Sequence, residues 1–135
     1  MFNVQFLGDK WPCVDFIVEL VGAGPTVPYF FVQVKATRRG YTKQTNRLRV
    51  GVPGHKVKEL AAYPAPTYVV GIDEIQECGY IVSAMGRSIR SLPSLSTQYP
   101  IDSENRAALW LEVRNFWNGF KRQSMKSRFV DRDWR

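Results

Sequence analysis

Gln33 and Lys35 stand two residues apart in the run Tyr29-Phe30-Phe31-Val32-Gln33-Val34-Lys35-Ala36-Thr37. A pleated strand points both side chains to the same face. The run is strand-like by composition. It is aromatic and β-branched, and Pro28 and Arg38-Arg39-Gly40 bound it. The run before it, Val14 to Val21, carries Asp15. A hairpin folded about Gly22 to Pro28 pairs residues whose numbers sum to about 50. The even positions Val14, Phe16, Val18 and Leu20 then share a face with Phe30, Val32, Val34 and Ala36, as burial requires. Asp15 falls near Lys35 and diagonal to Gln33. A carboxylate, an amide and an ammonium group thus gather at one end of one sheet face. Oxygen donors beside a fixed cation are the groups that hard-cation and phosphate chemistry uses.

The elements needed to hold them are legible further along. The rest of the polar face, Ile17, Val21, Tyr29 and Phe31, is apolar enough to require a covering helix or partner. Residues 1–8 read as a strand, and no ten-residue helix fits before Trp11. Arg47 to Val52 reads as a short strand with Leu48, Val50 and Val52 on one face. Pro53-Gly54 opens a helix to about Tyr63, with Val57, Leu60 and Ala61 as its apolar stripe. Thr67 to Asp73 is a buried-type strand, and Gly79 to Met85 is its hairpin partner. Residues 86–102 form a polar connector. Asp102 or Ser103 caps a helix over 103–122, with Leu109, Val113, Phe116, Trp117 and Phe120 at helical spacing. Residues 123–135 form a basic tail. The expected fold is α/β (α+β): one domain over 1–135, a mixed central β-sheet with its core in 1–85, and flanking helices.

The trio and its setting resemble the PD-(D/E)XK nuclease superfamily in its Gln-x-Lys variant. They are similar to Mrr-type endonucleases and to an uncharacterised bacterial nuclease-like family with a Phe-x-Val-Gln-x-Lys-x-Thr strand. Asp15, Gln33, Val34, Lys35 and Thr37 carry the resemblance, which extends over roughly residues 10–85. It implies a restriction-endonuclease-like core and Mg²⁺- or Mn²⁺-dependent phosphodiester hydrolysis on DNA. By that resemblance, Asp15, the Gln33 side-chain oxygen and the Val34 carbonyl bind the metal, and Lys35 stands at the attacking water. Gln33 in place of a Glu removes one negative charge and weakens the metal site. The sequence departs from the family in two further ways. The Pro-Asp pair is split as Pro12-Cys13-Val14-Asp15, and the first helix, which often supplies a Glu, has no obvious counterpart. Asp9 is the candidate extra carboxylate. Glu19 shares a face with Asp15 but lies about 13 Å along a regular strand, too far to share a metal.

Charge supports a polyanionic partner. The chain carries a formal +7, and Lys35, Arg38, Arg39, Lys43, Arg47, Arg49, Lys56 and Lys58 follow one another with no acid between them. Arg38, Arg39, Lys43, Arg47 and Lys56 are candidates for phosphate neutralisation, and Tyr41 for stacking on a base. No segment approaches the roughly 20 apolar residues of a membrane span, and no signal-peptide pattern is present. Cys13 and Cys78 lack metal-motif spacing, and the only histidine is His55, so zinc is disfavoured and a cytoplasmic setting is expected. The alternative reading is a nuclease-fold module that has lost hydrolysis and binds nucleic acid or a protein partner, with a homodimer or partner covering the site. A third is a basic RNA-binding or assembly protein unrelated to nucleases.

Overall fold

In the computed structural model, described for residues 1–24, 27–85, 91–120, 126–131 and 133, a five-stranded mixed sheet in the order β1-β2-β3-β4-β5 is flanked by two helices. Parts of the expected connector (86–90) and of the basic tail lie outside the described residues. The strands are β1 (Phe2–Phe6), β2 (Phe16–Leu20), β3 (Tyr29–Thr37), β4 (Thr67–Asp73) and β5 (Cys78–Ser83). The helices are α1 (Gly54–Ala61) and α2 (Ser103–Asn118), and a short 3₁₀ turn occupies Gly8–Lys10. β1, β2 and β3 form an antiparallel meander. β3 and β4 are parallel, joined by the crossover that carries α1, and β5 returns antiparallel. This is an α+β arrangement. Among the described residues no helix is long and apolar enough to cross a membrane.

The two faces of β3 are buried against different helices. Phe30 and Val32 join Val18, Leu20, Tyr68 and Val70 beneath α2, whose Val113 is fully buried. Phe31 faces the other way. It joins Val57 and Leu60 of α1, Val69 and Val82 of the sheet, and Leu48, Val50, Val52 and Leu95. Trp11 and Tyr63 lie against Phe31 at centroid distances of 5.6 and 5.1 Å. On the polar face of the hairpin α1 thus covers Phe31, Trp117 of α2 lies against Tyr29 at 4.8 Å, and Val21 stays exposed. α2 covers only part of the opposite face. Val34 is half-buried and Ala36 exposed.

Two elements differ from the sequence reading. Residues 47–52 do not form a strand; their β-pairing is limited to isolated bridges, Leu48 with Tyr41 and Leu95, and Val52 with Leu92. Leu48, Val50 and Val52 are buried as expected, but their partners come from the Pro- and Ser-rich connector. α2 ends at Asn118 instead of continuing to residue 122, and Gly119 takes the C-cap position.

Gly71 shows how tightly this layer closes on β4. A Cβ there would lie 2.6 Å from Leu95 Cδ2 and 2.7 Å from Leu48 Cδ2. Both leucines are fully buried, so neither side chain has room to retreat. Gly71→Ala should cost about 1–3 kcal/mol through overpacking. Urea unfolding checks this: the midpoint should fall with the slope unchanged.

Candidate active site

The β2–β3 register brings Asp15 and Gln33 together. Phe16 pairs with Val32 and Ile17 with Phe31, so paired numbers sum to 48. This is one step of two from the sum of 50 that turn geometry suggests. The parity is kept, so the apolar faces coincide as expected. Asp15 therefore lies across from Gln33, and Lys35 is the diagonal neighbour. The loop sets the register: Leu20 N–H donates to Pro28 O at 2.9 Å, closing the hairpin two residues earlier than a sum of 50 requires.

Asp15 closes the end of the sheet ladder. β2 begins at Phe16, so the next β3 donor facing that side, Val34 N–H, has no strand residue opposite. Asp15 Oδ2 accepts from it at 2.7 Å. The same oxygen accepts from Gln33 Nε2 at 3.0 Å. In an extended strand the Val34 C=O lies on the side of its N–H, hence toward Asp15.

Gln33 is only 6% exposed, and its Oε1 is buried with no hydrogen-bond partner. A buried amide oxygen left unpaired costs about 1–3 kcal/mol, which makes this atom an exception in need of a cause. Lys35 is half-buried on the same face, and no ion pair joins it to Asp15. The expected carboxylate, amide and ammonium groups thus share one sheet end. The acid and the amide are directly bonded to each other, and among the described residues no ion pair engages the ammonium group.

A second group of side chains, absent from the sequence reading, flanks this end. Cys13, held at φ 61°, donates from Sγ to Glu59 Oε2 of α1 at 2.7 Å. Burial, then the hydrogen bond and negative charge of Glu59, push the thiol up. The ammonium groups of Lys56 and Lys35 pull it down by less. Glu59 and Lys56 stand three apart on α1, a spacing that puts both on one helix face. That spacing, with Cys13 two residues before Asp15, was the available signal. Asp9 is exposed in the 3₁₀ turn, and no hydrogen bond or ion pair joins it to Asp15, Gln33 or Lys35. Among the described residues no three of His, Cys, Asp and Glu cluster as a metal cage. The donor set at the sheet end is one carboxylate, one amide oxygen and one main-chain carbonyl.

No protein family, curated protein or solved structure matches this chain.

The basic run divides by role. Arg47 Nε donates to Ser94 Oγ at 2.8 Å and its Nη2 to Ser94 O at 2.9 Å. Arg49 Nε donates to Tyr41 O at 3.0 Å, and Arg39 Nη2 to Arg49 O at 3.2 Å. These arginines fasten the 38–50 loop to itself and to the connector. Tyr41 turns inward, with its hydroxyl 2.9 Å from that of Tyr80. Burial and that hydrogen bond raise its pKa well above the ordinary phenol value. Its ring is thus engaged in the fold instead of standing free as a stacking platform. Buried Asp73 anchors the same corner, accepting from Ile75 and Gln76 N–H at 3.0 and 3.1 Å. The Gln76 N–H bond is the main cause that holds its carboxyl below the ordinary value. Arg38, Lys43 and Lys58 remain exposed and Lys56 half-buried; Arg38 makes only a long surface pair with Glu74 at 3.8 Å.

Proposed function

We propose that this protein is a metal-dependent nuclease of the PD-(D/E)XK type, in its Gln-x-Lys form, acting on DNA in the cytoplasm. The observation that carries the reading is the buried Gln33 amide, whose Nε2 bonds the Asp15 carboxylate and whose Oε1 has no partner among the described residues. Asp15 at the start of β2, the Gln-x-Lys strand and the crossover through α1 to a parallel strand support a restriction-endonuclease-like core. The two free cysteines suit a reducing compartment.

The donor set fits Mg²⁺ or Mn²⁺. All of its atoms are oxygens, and Mg²⁺ keeps most of its waters and needs only one or two protein ligands. Asp15, Gln33 Oε1 and the Val34 carbonyl would hold the ion. When bound, it supplies Lewis-acid stabilisation of charge on the phosphate and lowers the pKa of water. Lys35, with no acidic partner among the described residues, holds its ammonium charge where it favours a deprotonated nucleophile and stabilises the developing phosphate charge. Arg38, Lys43 and Lys58 neutralise flanking phosphates, which makes binding salt-dependent.

One observation favours a second reading, a nuclease-fold module without hydrolysis: a single carboxylate stands at the site, and Gln33 and Val34 already occupy one of its oxygens. Incubation with supercoiled and branched DNA in Mg²⁺ and in Mn²⁺ separates the two. The nuclease reading expects cation-dependent cutting that chelation stops. Salt-dependent binding with intact DNA under both cations would overturn it in favour of the second.

A further inference from the structure

The sheet has two edges, and one of them is finished. Along β5, Ile81 N–H donates to Tyr99 O at 3.0 Å and Ile101 N–H to Gly79 O at 2.8 Å. Along β1, among the described residues, the only strand partner is β2 on the inner side. Val4 is 57% and Phe6 71% exposed. The strand Phe2-Asn3-Val4-Gln5-Phe6 contains no charge and no proline in a chain of net charge +7. It lacks the usual devices that keep an edge from pairing.

We infer that β1 is a homodimer interface, in which a second copy of this chain adds its own β1 antiparallel about a two-fold axis at Val4. Three observations converge on that register. First, the strand reads the same in both directions by residue type. Pairing about Val4 sets Phe2 against the partner's Phe6, Asn3 against the partner's Gln5, and Val4 against the partner's Val4. Aromatic pairs, an amide pair and a valine pair are all favourable across strands, and no like charges meet.

Second, the free hydrogen-bonding groups match. Leu7 N–H donates to Asp15 O at 2.8 Å and Val21 N–H to Met1 O at 2.9 Å. Odd residues of β1 therefore face β2, and by the alternation of antiparallel pairing Phe2, Val4 and Phe6 direct their N–H and C=O outward. A two-fold at Val4 pairs those outward residues with one another and forms about six hydrogen bonds.

Third, the register extends an apolar row across the axis. Phe6 lies beside Phe16, and Phe16 beside Val32; Phe2 lies beside Leu20. The dimer continues Val32, Phe16 and Phe6 into the partner's Phe2 and the partner's Leu20. Phe6, whose ring now contacts Phe16 at 5.4 Å, gains an aromatic neighbour on its open side. The assembly is closed, because the β5 edges are covered by 99–101 and cannot extend it.

Five residues a side are few against the roughly 20–30 of a standard interface. The dimer is therefore weak, with a dissociation constant on the order of 100 µM.

Sedimentation velocity over about 10 µM to 1 mM brackets that value. The average mass should rise toward twice the monomer and no further. Val4→Lys places two ammonium groups across the axis and should weaken association at least about 30-fold. Val4→Pro removes only an outward N–H, which an edge strand tolerates, and should do the same. Hydrogen exchange on the unaltered protein reads the interface without any variant: the Phe2, Val4 and Phe6 amides should gain protection as concentration rises. A monomer at 1 mM, oligomers larger than a dimer, association indifferent to both variants, or unchanged exchange at those three amides would each overturn the inference.

Discussion

Lys35→Ala is expected to reduce Mg²⁺-dependent DNA cutting by about 10²–10³-fold, the usual cost of removing one preorganised charge-stabilising donor. The side chain is half-buried on the face that carries Gln33 and, among the described residues, has no acidic partner within ion-pair distance. Its removal therefore breaks no ion pair, and stability should change by no more than about 0.5–1 kcal/mol. That separation makes Lys35 a better probe than Asp15. The Asp15 carboxylate also caps Val34 N–H at 2.7 Å and bonds Gln33 at 3.0 Å, so its loss unties the sheet end as well as the site. Time courses of plasmid nicking, with thermal melts as the folding control, read both quantities. A variant that nicks DNA at the original rate would remove Lys35 from the mechanism. Arg38→Ala is the contrast: loss of one phosphate contact should weaken binding on every sequence and lower the salt slope by about one.

Gln33→Glu is the second large effect, and its sign depends on the cation. Gln33 Nε2 now bonds Asp15 Oδ2 at 3.0 Å from a position 6% exposed. Substitution replaces that donor with a second carboxyl at the same place. Two carboxylates this close and this buried do not both ionise readily, so the new group's pKa is pushed above its unfolded value of about 4.3. A carboxyl with a raised folded pKa favours the native state at low pH. That contribution is lost as pH rises from the unfolded pKa through the folded one. Without divalent cation the variant should therefore be nearly as stable as the parent at about pH 4 and about 1–3 kcal/mol less stable at pH 8. Mg²⁺ or Mn²⁺ should reverse the loss, because a second anionic oxygen completes the donor set. At about 100-fold excess over the dissociation constant, binding adds about 2.7 kcal/mol. Thermal melts at pH 8 with and without Mn²⁺ test this. A variant whose melting point ignores the cation would speak against a metal site at positions 15 and 33.

Much of this geometry was legible because burial dictates parity. The bounds of β3 and β4 follow from Pro28, Arg38-Arg39-Gly40 and Pro66, which punctuate runs of aromatic and β-branched residues. The coincidence of even faces placed Asp15, Gln33 and Lys35 on one side. Whether Gln33 or Lys35 lies opposite Asp15 was not legible, since the loop between the strands fixes the register and its composition does not specify the closing pair. The segment 47–52 shows the opposite limit. Its alternation of Leu48, Val50 and Val52 is strand-like, but β3 and β4 already pair with each other across the sheet centre. The segment instead lies over Gly71 of β4 and meets Leu92 and Leu95, two apolar residues in a stretch whose Ser and Pro content reads as a solvent-facing connector. The Cys13–Glu59 bond joins residues 46 apart. Local spacing sets Glu59 beside Lys56 and Cys13 near Asp15, but the contact between them exists only once α1 has packed on the sheet.

The basic run makes a related point about charge. Eight cations without an intervening acid suggest one continuous phosphate-binding surface. Arg39, Arg47 and Arg49 instead use their guanidinium forks to hold main-chain carbonyls and Ser94, a geometry Arg supplies better than Lys. The exposed cations with no main-chain carbonyl to hold among the described residues are Arg38, Lys43 and Lys58, which narrows the surface on which DNA would lie.

The central claim is that Asp15 and Gln33 hold a divalent cation beside Lys35. A crystal of the protein soaked in Mn²⁺ tests it most directly through the anomalous signal. The account predicts a peak between the Asp15 carboxylate and the Gln33 side chain, with the amide reversed so that Oε1 faces the ion. A map with no peak there, and Gln33 Nε2 still bonded to Asp15 Oδ2 at saturating Mn²⁺, would contradict it.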